Sequence, residues 1–156
     1  MGVQLTPDEM TDFLTNGHTL ILSTIRKSGE PFMMPVWYVY KDGIFYVRTI
    51  AHGAKVKHIR RDPRACILVE DGKAWADLRA VIASCDVEIL TDISGLSEIE
   101  EIFAKKYAAF ATPAEAMPDS ATKHYAQMQA YLKLIPKPGE IRSWYNRKLR
   151  PKKAEV

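Results

Sequence analysis

The sequence is poor in the residues that build metal sites and disulfide frameworks. It has two cysteines, Cys66 and Cys85, with no CxxC pair, and four histidines with no HxxxH or HExxH spacing. Both cysteines lie in apolar, strand-like surroundings, as free thiols usually do. We therefore expect no structural metal and no disulfide framework.

Long apolar runs are also lacking. No stretch is long enough to span a membrane, and the first ten residues, MGVQLTPDEM, contain no apolar signal-peptide core. We therefore expect a cytoplasmic protein with no membrane partner.

An excess of charge of one sign is missing too. The 22 basic and 19 acidic residues leave a net charge of +3, too small to indicate nucleic-acid binding by itself. The distribution is less even, because six basic residues and no acid lie between Arg142 and Lys153. No Ser-His-Asp or paired-carboxylate spacing is visible, so the catalytic residue, if there is one, is unknown from the sequence.

Short apolar segments joined by glycine-bearing turns are what the sequence does contain. They predict antiparallel strands over residues 19–26, 31–40, 44–50, 65–70, 74–91 and 131–145. Pro35 lies inside the second strand, where it predicts an edge, a bulge or a break. The long fifth strand should bend near Ser84, and the last should break at residues 136–139.

Helices are predicted at the periphery of this sheet. Thr6-Pro7-Asp8-Glu9 is a capping box that starts a helix ending near Gly17. From Gly95 the apolar period changes to that of a helix, and a further helix is predicted from residue 119 or 120 to about 130. The predicted fold class is mainly β with peripheral helices.

A basic segment follows the third predicted strand. Residues 48–64 contain six Lys or Arg side chains and a single acid, Asp62, with a glycine turn at residues 51–53. A strand end, a glycine turn and a short basic helix together suit the binding of a phosphate. In a regular strand, Arg48 and Thr49 point to opposite faces, so Thr49 and Lys55 are the better candidates. The alternative is a solvated helix face with no ligand.

This pattern resembles a known family. The segment from Gly29 to Trp37, the pair Arg48-Thr49 and the run from Lys55 to Pro63 resemble the pyridoxamine 5′-phosphate oxidase-like, FMN-binding split-barrel superfamily, and most of all its actinobacterial branch that uses the deazaflavin coenzyme F420. The resemblance implies a six-stranded antiparallel split β-barrel with Greek-key topology. It implies one domain over residues 1–149, followed by a flexible basic tail at 150–156. It also implies a homodimer with cofactor sites at the subunit interface.

The resemblance also assigns site residues. The cofactor phosphate would be held by Arg48, Thr49, Lys55 and Lys57, and the backbone of Pro35, Val36 and Trp37 would face the ring system. Trp75 and Arg79, expected on the long strand, would reach across from the partner subunit. Apart from the resemblance, the positive charge of Arg60, Arg61 and the segment from Arg142 to Lys153 suits a groove for the oligoglutamate tail of F420.

Several functions remain open at this level. The first is an oxidoreductase that passes hydride from reduced F420 to a conjugated organic acceptor, with the cofactor's own ring as hydride source. The second keeps the fold and uses FMN. The third is a non-catalytic carrier of a flavin-like cofactor or a haem-type tetrapyrrole. A nucleic-acid module is disfavoured, because residues 51–64 lack the aromatic side chains that stack on bases.

Overall fold

The computed structural model describes residues 3–149. The predicted basic tail, residues 150–156, lies outside them. The strands are β1 (Leu20–Ile25), β2 (Pro31–Val36), β3 (Val39–Lys41), β4 (Ile44–Ile50), β5 (Ala65–Asp71), β6 (Arg79–Leu90) and β7 (Gln129–Tyr145). The helices are α1 (Pro7–Asn16), α2 (Ala54–Arg61), α3 (Ser97–Tyr107) and α4 (Asp119–Tyr125).

All of these strands form one antiparallel sheet, in the order β2-β1-β5-β6-β7-β4-β3. Its two edge strands are neighbours in the chain, because only two residues separate Val36 from Val39. The sheet must therefore curl until its edges meet, which gives the predicted split barrel. The described sheet has seven strands where six were predicted.

The extra strand comes from a break in the predicted strand 31–40. The chain leaves the ladder at Trp37 and Tyr38, so β2 pairs only with β1 and β3 pairs only with β4. Pro35 lies in β2 opposite Ile21, on a sheet edge where a missing N–H costs nothing. The edge and break predicted from Pro35 are thus both observed, although the break follows it by two residues.

The last strand differs more from prediction. β7 is one strand of 17 residues, not two strands broken at 136–139. Between the pairs Ala83–Ile141 and Cys85–Pro136, one residue of β6 faces four of β7, so the ladder bulges near Ser84, where a bend was expected. α4 also ends at Tyr125, earlier than predicted, because the chain joins β7 at Gln129.

The core lies on the inner face of the curled sheet. Burial alternates along β1, with Leu20, Leu22 and Thr24 inside, and α1 covers one end of the barrel with Phe13 and Leu14. Each fully buried leucine of this kind contributes about 2 kcal/mol relative to exposure. A second cluster lies on the outer face, where Ile99 of α3 packs with Val39 and Tyr131.

Both ends of α1 are held by specific contacts. The predicted capping box is present, since Glu9 N–H bonds to Thr6 Oγ1 and Thr6 N–H bonds to the Glu9 carboxylate at 2.7 Å. At the other end, Tyr38 Oη donates to Leu14 O at 2.6 Å. A Cβ at Gly17 would lie 2.4 Å from that hydroxyl, so only glycine fits there.

Candidate phosphate and ring site

The junction between β4 and α2 presents unusually free amide groups. The turn after Ile50 is closed by Gly53 N–H to Ile50 O and held to β7 by Ala51 N–H to Met128 O, each 2.9 Å. α2 then begins with no side-chain cap and no acid in its first turn, whereas α1 has both. The partial positive charge of the α2 N-terminus is therefore uncompensated, which suits an anion.

Thr49 and Arg48 take opposite faces of β4, as the strand periodicity predicts. Thr49 is only 7 % exposed, and a Cβ built at Gly53 would lie 3.9 Å from its hydroxyl oxygen, so that hydroxyl lies beside the start of α2. Arg48 points outward to α3, where its guanidinium is 3.9 Å from the Glu100 carboxylate. Glu100 also accepts a hydrogen bond from Tyr131 at 2.6 Å.

Lys55 is the notable cation of α2. It is half-buried, and burial lowers the pKa of its ammonium from the usual 10.5. Within residues 3–149 no carboxylate lies within salt-bridge distance of it. A half-buried ammonium at an uncapped helix N-terminus gains from any anion that binds there. Lys57 and Arg60, by contrast, are exposed.

α2 is held firmly against the barrel by residues that sequence reasoning missed. Val56 and Ile59 are buried, and His58 Nδ1 lies 2.9 Å from Thr24 Oγ1. Burial and the nearby Arg61 guanidinium lower the pKa of His58. Arg61 itself donates to Ile25 O at 2.5 Å. The only sequence signal for these roles was the apolar spacing of Val56 and Ile59.

The break between β2 and β3 brings the predicted ring-facing residues to an accessible place. Pro35 is exposed, while Val36 and Trp37 are half-buried. The Trp37 ring stacks on Tyr107 with centroids 4.4 Å apart and planes 5° apart, so its side chain is committed to packing. The ladder between β3 and β4 begins at the pair Val39–Tyr46, so the residues before Val39 are not paired with β4.

Trp75 and Arg79 do not lie near Thr49 of the same chain. Trp75 lies in a short 3₁₀ turn before β6, not on the long strand as predicted, and is 68 % exposed. Arg79 is at the start of β6. The other end of β6, at Leu90, pairs with Tyr131 of β7, which is next to Ala130, the partner of Thr49. The Arg79 guanidinium is occupied by Asp71 and by the Phe13 ring at 4.2 Å.

A pocket of about 210 Å³ lies away from all of these residues. It is on the outer face of β1, β5 and β6 beside the bulge, lined among others by Ser23, Cys66, Ser84 and Lys137. No candidate site residue lines it. The N-terminus of α2 with Thr49 and Lys55, here called the clamp, is the better candidate, because a free cation and free helix amides coincide there.

The described residues were also searched for a metal-binding cluster and for a membrane-spanning helix. Across residues 3–149, no group of three or more His, Cys, Asp or Glu side chains is arranged to hold a metal ion. None of the helices described in that range is both long and apolar enough to cross a membrane.

Comparisons with known proteins identify relatives with the same fold. A conserved hypothetical protein of Mycobacterium tuberculosis, Rv2991, is 27 % identical with a TM-score of 0.79, over 96 % of this chain and 91 % of that one. A FAD-binding protein of Mesorhizobium loti is 18 % identical (TM-score 0.66, 92 % of this chain, 95 % of that one). An F420 reductase is 17 % identical (TM-score 0.60, 81 % and 91 %). Residues 6–142 match the pyridoxamine 5′-phosphate oxidase family, and the chain therefore belongs to that family.

Proposed function

We propose that this protein is an oxidoreductase that binds coenzyme F420 and delivers hydride from the reduced cofactor to a conjugated organic acceptor. One observation carries the proposal: the uncapped N-terminus of α2 lies beside Thr49 and carries Lys55, a half-buried cation with no carboxylate partner in residues 3–149. An F420 reductase with the same fold supports the choice of cofactor.

The clamp fits a phosphate by its chemistry. The first-turn amides of α2 and the Thr49 hydroxyl donate hydrogen bonds, and the Lys55 ammonium supplies full positive charge. Lys57 and Arg60 are exposed on the same helix, where they would meet the acidic tail of F420. Arg48 contributes less, since its side chain lies on the α3 side of β4 beside Glu100.

The ring system would lie along the backbone of Pro35, Val36 and Trp37. When bound, the deazaflavin supplies the hydride. The chain would orient the ring and exclude water from one of its faces. No side chain is assigned as a proton donor.

A homodimer completes this proposal. On β2, Pro31, Met33 and Pro35 are exposed, with Met33 at 67 %, and they continue the half-buried apolar stripe of Ile21 and Ile25 on β1. An exposed apolar sheet face of this kind is typical of a surface that another subunit covers. Trp75 would then reach the site from the partner more readily than Arg79, which is already paired with Asp71. Two free thiols, Cys66 and Cys85, agree with a cytoplasmic location.

FMN is the second candidate cofactor. It has a ring of the same size and carries a phosphate at the end of its ribityl chain, so the clamp would also accept it, and a FAD-binding protein shares this fold. It lacks the acidic tail that Lys57 and Arg60 would meet. That difference favours F420.

A titration separates these possibilities. The purified protein is titrated with F420 and with FMN while tryptophan quenching and cofactor fluorescence are followed. Tight F420 binding with weak FMN binding supports the proposal, and tight FMN binding moves the protein to the flavin-dependent alternative. Binding of neither overturns the clamp assignment and makes a haem-type tetrapyrrole the next ligand to test.

A further inference from the structure

The break between β2 and β3 leaves two residues, Trp37 and Tyr38, without strand partners. Tyr38 follows the last pair of β2 and precedes the first pair of β3, so both its N–H and its C=O are outside the ladder. Tyr38 is fully buried. Buried backbone groups must find other partners, because leaving one unsatisfied costs about 1–3 kcal/mol.

Those partners come from the C-terminal turn of α3. Tyr38 N–H donates to Tyr107 Oη at 2.9 Å, and Lys106 Nζ donates to Tyr38 O at 3.0 Å. The Tyr107 hydroxyl lies within donating distance of two carbonyls, His18 O at 2.8 Å and Tyr38 O at 3.0 Å. Both backbone groups of Tyr38 therefore have partners supplied by one helix.

The same two side chains also fix the rings around the break. Lys106 Nζ lies 3.8 Å from the centroid of the Tyr38 ring, and Tyr107 stacks on Trp37. Burial lowers the pKa of Lys106 to about 8 and raises the pKa of Tyr107 to about 12. The ammonium of Lys106 is thus half-buried, and no carboxylate of residues 3–149 forms a salt bridge with it. The hydrogen bond that Lys106 does form is the one to Tyr38 O at the break.

We propose that Lys106 and Tyr107 are positioning residues that set the backbone of Val36 and Trp37 where it receives the cofactor ring. The inference rests on the proposed function, since it concerns the ring half of the same site. α3 would position the ring indirectly, by holding the backbone at the break, whereas α2 would bind the phosphate directly. The two halves of the site are then held by different helices.

The structural half of this inference is tested without ligand. Hydrogen exchange is measured on a peptide that contains the Tyr38 amide, in Tyr107→Phe and Lys106→Met. We expect exchange at Tyr38 to be about tenfold faster in both variants. Matched controls are Lys105→Met, the exposed neighbour that pairs with Glu101, and Tyr125→Phe, an exposed tyrosine of α4. Unchanged exchange in the two test variants overturns the inference.

The functional half uses two ligands that differ by one group. Whichever of F420 and FMN binds the wild type is compared with the same ring lacking phosphate, the deazaflavin nucleoside or riboflavin. We expect Lys106→Met and Tyr107→Phe to weaken both members of the pair by the same factor, about tenfold. Lys55→Ala should weaken only the phosphate-bearing member. The absorption band of the bound ring should also move toward that of the free ring in the α3 variants alone.

The outcomes separate the two proposals. If the wild type binds neither cofactor, the proposed function fails and this inference fails with it. If the cofactor binds and Lys55→Ala behaves as expected, but the α3 variants keep wild-type ring affinity and spectrum, the proposed function stands and this inference is wrong.

Discussion

The guanidinium of Arg48 lies 3.9 Å from the carboxylate of Glu100, across the gap between β4 and α3. This pairing takes Arg48 to the outer face of the sheet, while its neighbour Thr49 is buried on the inner face. One phosphate at the start of α2 is therefore within easier reach of Thr49 than of Arg48.

The first prediction compares these two neighbours. Thr49→Val keeps the shape of the buried side chain and removes its hydroxyl, so we expect cofactor affinity to fall about tenfold. Arg48→Met removes a partly exposed ion pair and should change affinity less than about threefold. Isothermal titration with the phosphate-bearing cofactor measures both. A larger loss in Arg48→Met than in Thr49→Val would reverse the assignment.

The second prediction concerns Lys55. Lys55→Ala should weaken cofactor binding by about 10- to 100-fold, because a charge-assisted contact to phosphate is lost. Stability should change by less than about 1 kcal/mol, since the ammonium makes no ion pair within residues 3–149. Lys73→Ala, in the exposed turn after β5, is the control and should have no effect.

Lys55 also gives the binding reaction a pH dependence. Its pKa is already lowered by burial, and a bound phosphate would raise it again. Binding should therefore take up a proton, and affinity should fall as the pH rises into the alkaline range below 10.5. Lys55→Ala should abolish that decline. Wild-type affinity in Lys55→Ala would remove the phosphate assignment.

The third prediction tests the dimer. Met33→Lys places a charge in the exposed apolar face of β2, and we expect it to convert a dimer to a monomer at micromolar concentration. Light scattering measures the mass. Met128→Lys is a matched control, because Met128 is similarly exposed at 62 % against 67 % for Met33. A wild-type monomer would remove both the dimer and the shared site.

The fourth prediction concerns stability and Lys106. Its pKa is about 8 in the folded protein, and it returns toward 10.5 on unfolding. Between these values the unfolded chain binds more protons, so the Lys106 contribution to stability increases as the pH rises through this window.

We expect wild-type stability to gain about 2 kcal/mol relative to Lys106→Met between pH 7.5 and 9.5, as measured by denaturant unfolding. Tyr38 and Tyr107 do not disturb the comparison, because burial raises the pKa of both phenols and keeps them protonated over this range. Parallel stability curves for the two proteins would contradict the prediction.

Local chemistry made parts of the structure predictable from sequence. The capping box at Thr6 and Glu9 needs only residues three apart, and it forms as predicted. The turn at Asp42 and Gly43 requires positive φ at both positions, and their φ values are 51° and 79°. The strand–turn–helix at β4 and α2 is similarly encoded by neighbouring residues.

Contacts between distant residues were not predictable in this way. The division of β2 from β3 depends on Tyr107 and Lys106, which are 69 and 68 residues from Tyr38 along the chain. The prolines at 136 and 138 indicated where β7 is irregular, but not that it continues through a bulge, because that depends on its register with β6. Trp75 was assigned to a strand because its apolar neighbours continue into β6, yet the chain first makes a 3₁₀ turn.

The meeting of β2 and β3 at one break also protects the protein against aggregation. A free sheet edge is a template on which another chain can add a strand. β2 ends at Val36 and β3 begins at Val39. Three Cα–Cα steps join these two residues, so their Cα atoms lie within about 11 Å of each other. One edge carries Pro31 and Pro35, which have no N–H to offer, and the other is only three residues long. The curled sheet therefore leaves little ladder on which a misfolded neighbour could grow.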